Sequence, residues 1–189
     1  LFMVYLNFNK KSIIAISDTH GRHRELTVPP CDFLIHCGDI CTDGDEYQIN
    51  DFFEWFSTTP ATYKLFVSGN HDYPFVFEPT AALSLLPPNI IFLEDRMKTI
   101  AGISFYGLTS RENLFEIPEV INGKVDFLLT HIPPKSILDN HLGCSYLSEF
   151  VKMQQPQFHI FGHVHKSGSK KIIKGATTYI NACSFLKEN

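Results

Sequence analysis

The chain lacks any apolar run near the ~20 residues that crossing a bilayer requires, so no membrane span is expected. It also lacks a CxxC pair, and its five cysteines are odd in number, which argues against a disulfide framework. Neither sign of charge dominates: 16 Lys and Arg stand against 20 Asp and Glu, a net of -4. That balance offers no basic field for a polyanion, so nucleic acid is not an expected partner. The opening "LFMVYLNFNKK" is apolar but short, with no basic n-region and no small-residue cleavage site. A cytoplasmic protein is the expectation. No internal repeat, low-complexity tract or linker interrupts the 189 residues, and 44% of them are hydrophobic, enough for one domain over 1–189 with a sizeable core.

Five apolar runs rich in β-branched and aromatic residues recur: "KSIIAIS" (11–17), "CDFLIHC" (31–37), "TYKLFVS" (62–68), "KVDFLLT" (124–130) and "QFHIFG" (157–162). Continuous rather than alternating apolar character marks strands covered on both faces. Between the second and third, Ile49, Phe52, Phe53 and Phe56 recur at helical spacing and form one apolar stripe. "TAALSLL" (80–86) and "SYLSEFVKM" (145–153) predict shorter helices, and "IIFLEDRMKTIAGISFYG" a strand followed by a hairpin. "KKIIKGATTYINA" predicts a second hairpin around Gly175. βαβ units with antiparallel additions give an α/β or mixed α+β sandwich.

The polar residues that end each run are more informative than the run itself. In turn the runs close with Asp18 and His20, with Asp39, with Asn70, His71 and Asp72, with His131, and with His163 and His165. Ligands of open α/β sheets sit outside the carboxyl ends of strands, and polar side chains are costly to bury without partners. One such ending could be turn chemistry, because Asp and Asn shape turns. Five in succession could not, because turns do not call for histidine. The set is expected to be a metal site of carboxylate, amide and imidazole ligands.

The ordered blocks D-x-H, GD, GNHD, H and GHxH, spread over residues 18–165, resemble the calcineurin-like metallophosphoesterases. "SDTHGRH", "THIPP" and "TTYINACS" resemble its metallophosphodiesterase-domain branch, whereas "GLTSRENLFEIP" (107–118), expected at the pocket rim, departs from it. The resemblance implies a four-layer sandwich, two face-to-face mixed β-sheets flanked by helices. It implies one metal held by Asp18, His20, Asp39 and His165, and a second by Asp39, Asn70, His131 and His163, with Asp39 bridging. His71 would not be a ligand; it would contact substrate and protonate the leaving oxygen. Asp72 would orient the His71 ring, or else serve as a helix cap or turn residue.

Two divalent cations opposed by only two carboxylates leave a cationic centre that attracts phosphate. Oxygen and imidazole donors without thiolate favour Mn²⁺, with Fe²⁺ or Zn²⁺ as alternatives. Arg22 is the expected substrate-contact arginine, with Arg24 and Arg111 as further basic residues near motif loops. His23 would line the pocket or lie in a solvated loop; His36 and His159 belong to the core or behind the ligands, and His141 to a surface loop. The reaction expected is hydrolysis of small phosphoester or nucleotide diesters by a metal-bridging hydroxide. Phosphomonoesterase activity, including protein Ser/Thr phosphatase activity, and a non-catalytic scaffold of the same fold are the alternatives. The oligomeric state is left open.

Overall fold

The computed structural model describes residues 2–108 and 119–185. Two sheets stack face to face. The first contains β1 (Val4–Phe8), β2 (Lys11–Ile16), β3 (Cys31–Cys37), β4 (Ala61–Val67) and β5 (Ile90–Phe92), in that order. β2 to β5 run parallel, and β1 pairs antiparallel with β2. The second sheet holds β6 (Arg96–Ile100), β7 (Ile103–Gly107), β8 (Phe127–Leu129), β9 (Phe158–Phe161), β10 (Lys171–Lys174) and β11 (Thr177–Asn181). Its spatial order is β10-β11-β9-β8-β7-β6, parallel in the middle and antiparallel at both margins.

The period-two alternation of strands explains the layers. In β2, Ile13 and Ala15 face the second sheet and pack with Phe33, Ile35, Phe105, Phe127 and Ile160. Ile14 and Ile16 point the other way, toward α1 (Glu46–Thr58), whose Ile49, Phe52, Phe53 and Phe56 are all buried. The outer face of the second sheet is covered by Leu147, Phe150 and Val151 of α4 (Ser145–Gln154). Helix, sheet, sheet and helix are the four expected layers. Asp45 begins α1 as its N-cap, its side chain accepting the Gln48 amide.

Three elements differ from the sequence reading. The opening run is strand β1, with Val4, Leu6 and Phe8 packed on the inner core and a two-residue turn at Asn9 and Lys10, both left-handed. "KVDFLLT" is strand only over β8, because the Asp126 carboxylate accepts bonds from the Ser104 amide and hydroxyl and pairs with Lys124. A five-residue helix, α2 (Tyr73–Phe77), follows the Asn70–Asp72 block and precedes α3 (Pro79–Ser84). Among the described residues no helix is long and apolar enough to cross a membrane.

Candidate metal centre

The carboxyl ends of β2, β3 and β4 in one sheet and of β8 and β9 in the other meet along one edge, and their loops converge there. Local backbone conformation shows what this convergence demands. Asp18, His20, Asp39 and His163 all have positive φ, at 56°, 42°, 59° and 66°. Left-handed backbone at non-glycine residues costs about 1–2 kcal/mol each and persists where surrounding structure enforces it. The loops also touch so closely that glycine is required at their contacts. A Cβ on Gly69 would collide with the Asp39 carboxylate, and one on Gly162 with Ser17 Oγ and the Asp18 carboxylate.

Two clusters result. Asp18, His20 and His165 form one and Asp39, His131 and His163 the other, the potential ligand atoms of each lying within 4.8 Å of one another. Asp39 stands between them: its Oδ2 is 3.1 Å from His131 Nε2 and 3.7 Å from His20 Nε2. Asn70 Oδ1 lies 3.0 Å from His131 Nε2. His165 Nε2 is 3.4 Å from Asp18 Oδ1. All seven sequence-predicted ligand residues are therefore gathered at one edge.

The donor set fits divalent metal. His131 Nδ1 lies 2.7 Å from the Cys37 carbonyl and His20 Nδ1 lies 3.1 Å from the Cys41 carbonyl. A carbonyl only accepts, so in both rings Nδ1 carries the hydrogen, and in the neutral form the Nε2 lone pair points into the cluster. In neutral His131 that lone pair would face two acceptors, Asp39 Oδ2 and Asn70 Oδ1, an arrangement that calls for a cation or a proton between them. Burial pushes the nearby thiols of Cys41 and Cys183 well above the usual thiol range.

Electrostatics agree with this arrangement. Burial alone would raise Asp18, but its hydrogen bond with His165, the His131 charge and bonds from Cys183 and Ser17 outweigh it and hold the carboxyl well below the usual range. Asp39 is likewise lowered against burial, chiefly by His131. His131 is pushed up to about 10 despite burial, because Asp39 and Asp18 face it. Burial lowers His20 and brings His163 down to about 4, so those rings are neutral donors.

A model of the calcineurin-like phosphoesterases matches residues 11–167. The chain belongs to this family. It is 32% identical to a UPF0046 protein of Caenorhabditis elegans, covering 94% of this chain and 71% of that one. It is also 32% identical to human metallophosphoesterase domain-containing protein 1, over 89% of this chain and 64% of the relative. Among solved structures, the phosphopantetheinyl hydrolase PptH of Mycobacterium tuberculosis superposes with a TM-score of 0.65 at 12% identity, covering 92% of this chain and 89% of that one. This last likeness concerns fold alone.

Within this site, Asp72 departs from the His71-orienting and helix-capping roles expected of it and keeps the turn role, its amide donating to the Gly69 carbonyl. It is fully buried and does not touch the His71 ring through any hydrogen bond described. Its two oxygens accept the backbone amides of Asp39, Ile40, Cys41 and Gly69 at 2.7–3.3 Å. It occupies the N-cap position of α2, where its carbonyl accepts the Phe75 amide, but its side chain makes no capping bond. Burial first, then the Asp39 charge, raises its carboxyl to about 7. Consecutive residues point in different directions, and at 72 that direction is inward. The partner of His71 is instead Asp43, whose Oδ1 lies 3.1 Å from His71 Nδ1. Sequence reasoning passed over Asp43 in "CTDGD" because the block holds two aspartates at loop positions with nothing to rank them.

The other expectations divide. Arg22 is exposed, bonded twice to Glu25 at 2.9 Å and stacked over the Phe185 ring at 4.1 Å. Arg24 is held by Asp51 and Glu54. His23 neither lines the pocket nor lies in solvent: it is buried against Phe52 and Trp55, with Nε2 2.9 Å from Asp51. Apolar surface on α1 accounts for this. Arg111 and residues 109–118 of the expected rim (107–118) lie outside the described residues. His36 and His159 are buried, as expected of core or supporting residues, and His141 is exposed.

Two supporting residues reach the ligand loops from behind. His36 accepts the Gly38 amide at Nδ1 (3.2 Å) and so donates from Nε2 to Thr19 Oγ1 (3.1 Å). It thereby ties the loop carrying Asp18 and His20 to the loop carrying Asp39. Cys183, within the sequence block "TTYINACS", donates its thiol to Asp18 Oδ2 at 2.9 Å.

Proposed function

We propose that this phosphoesterase is a dinuclear metal-dependent phosphodiesterase acting on small phosphoester or nucleotide substrates. The observation that carries the reading is the Asp39 carboxylate between the two clusters, facing His131 on one side and His20 on the other. Divalent metals bound there would polarise the phosphoryl group and activate water for in-line displacement. Carboxylate, amide and imidazole donors without thiolate favour Mn²⁺, with Fe²⁺ or Zn²⁺ as alternatives.

The chain's own residues do the remaining work. Asn70 contributes an oxygen without adding negative charge, so the centre stays attractive to a phosphate anion. His71, with Nδ1 directed at Asp43, leaves Nε2 to meet the leaving oxygen and give it a proton. Arg22 and Arg24 support the diester over the monoester. Both guanidinium groups are already engaged by carboxylates, so neither is offered to the extra charge of a monoester dianion.

The test is kcat/KM for bis-p-nitrophenyl phosphate against p-nitrophenyl phosphate under saturating Mn²⁺. A higher value for the diester is expected. A clear preference for the monoester would transfer the assignment to a phosphomonoesterase, and absence of turnover with any divalent metal would overturn the hydrolase reading.

A further inference from the structure

Beside the metal cluster the surface becomes aromatic. Inward, the His71 ring meets the ligand His20 at 5.1 Å between centroids. Outward, Tyr73 lies 6.3 Å from His71 with the two ring planes only 19° apart. Phe77, one turn along α2, meets the Tyr73 ring at 6.3 Å and a steep angle. One oxygen fixes the His71–Tyr73 pair, because Asp43 Oδ1 bonds both His71 Nδ1 (3.1 Å) and the Tyr73 hydroxyl (3.3 Å). A row of rings therefore leads from a metal ligand to the protein surface.

Within α2, Phe75 is buried against Phe53, Phe66 and Phe92. Tyr73, Val76 and Phe77 remain 39%, 42% and 76% exposed. Single exposed apolar residues are ordinary, but a contiguous group bordering a functional centre marks a binding surface.

We propose that this ledge is the subsite for the organic part of the substrate, and that it takes a planar aryl or heterocyclic group. The inference rests on the reading of the neighbouring clusters as a phosphate-binding metal centre. A leaving oxygen that takes a proton from His71 must lie within about 3 Å of it, so the group attached to that oxygen has to pass His71. The next surface it meets is Tyr73. Two nearly parallel rings held by one carboxylate offer a flat face to a flat partner. The Asp43 carboxylate at the foot of the ledge, and the absence of Lys or Arg from "YPFVF", disfavour a second anionic group on this side.

The test uses binding, not turnover. Affinities of phenylphosphonate, naphthylphosphonate and methylphosphonate for the metal-loaded protein are measured by calorimetry. Stacking of flat rings on aromatic side chains leads to an aryl-over-methyl advantage of about tenfold. Tyr73→Leu should bring that ratio close to one, and Tyr73→Phe should restore it. Phe77→Ala, at a position that is mostly solvent-facing, should reduce the naphthyl advantage more than the phenyl advantage. Equal affinities for aryl and methyl ligands, or a ratio unmoved by Tyr73→Leu, would overturn the ledge while leaving the metal centre intact. Failure of all three phosphonates to bind would overturn the phosphate-binding centre and the ledge with it. An aryl advantage in a protein that hydrolyses no phosphoester would support the ledge and remove only the hydrolase reading.

Discussion

Asp43 Oδ1 lies 3.1 Å from His71 Nδ1, although Asp72 is the carboxylate next to His71 in the chain. The partner that orients the ring is thus supplied from the loop after β3, the same loop that carries Asp39. Ring orientation and metal bridging are coupled through one short stretch of backbone.

Loss of that orienting contact should slow turnover without removing metal. Asp43→Ala is expected to lower kcat by roughly tenfold, and His71→Ala by about 10²–10⁴-fold with poor leaving groups, the usual range of general acid–base contributions. Both losses should shrink for p-nitrophenyl esters, whose leaving group hardly needs a proton. Elemental analysis should find the metal content of both variants equal to that of the parent. If His71→Ala proved to be the demetallated protein, its role would be that of a ligand.

Asp72 should behave as a structural residue. Asp72→Ala would leave the amides of Asp39, Ile40, Cys41 and Gly69 without their acceptor in a buried setting. Unsatisfied buried donors cost about 1–3 kcal/mol each, so a loss of at least about 3 kcal/mol of stability is expected. Urea denaturation is the measurement, with Asp43→Ala, at an exposed side chain, as a near-neutral comparison. Equal stability of the two variants would contradict this assignment.

Asp39→Ala should weaken both metal positions at once, because its carboxylate faces both clusters. Metal per chain, measured after gel filtration, should fall for both positions, whereas Asn70→Ala should affect chiefly the position built from His131 and His163. Two metals retained per chain by Asp39→Ala would refute the bridge.

Acid should destabilise the fold through His159. The Thr130 hydroxyl donates to the Ile132 carbonyl, so its oxygen accepts from His159 Nε2–H. His159 Nδ1 is buried and has no hydrogen-bond partner among the described residues. Burial therefore brings this ring down to about 3, against about 6.5 in an unfolded chain. Between these values the unfolded chain binds a proton that the folded chain refuses. The contribution is complete above about 6.5 and declines as pH falls toward the folded value, by roughly 1 kcal/mol per pH unit. Urea midpoints of His159→Leu between pH 7 and 5 should fall less steeply than those of the parent. A slope identical to the parent's would show that the ring titrates freely in the fold.

The edge strand β1 shows where sequence reading lost information. Val4, Leu6 and Phe8 alternate correctly for a half-covered strand, but the preceding apolar residues masked the alternation, and its pairing partner is fixed only by the left-handed turn at Asn9 and Lys10. The parallel strands were legible because burial on both faces makes them continuous apolar runs. β3 matches its run residue for residue, from Cys31 to Cys37.

By itself the sequence determined the kinds of donor and their order along the chain: Asp18 and His20, Asp39, Asn70 and His71, His131, then His163 and His165. Each comes after a strand end, and strand ends are marked locally by where an apolar run stops. Only the tertiary structure decided which side chains meet. It turned Asp72 inward to collect backbone amides, brought Asp43 to His71, drew His23 onto Phe52 and Trp55, and engaged Arg22 with Glu25 and Phe185. The physical reason is directional. A residue's type and its place after a strand are properties of the local chain, whereas the atom it faces depends on loops from two sheets closing against one another.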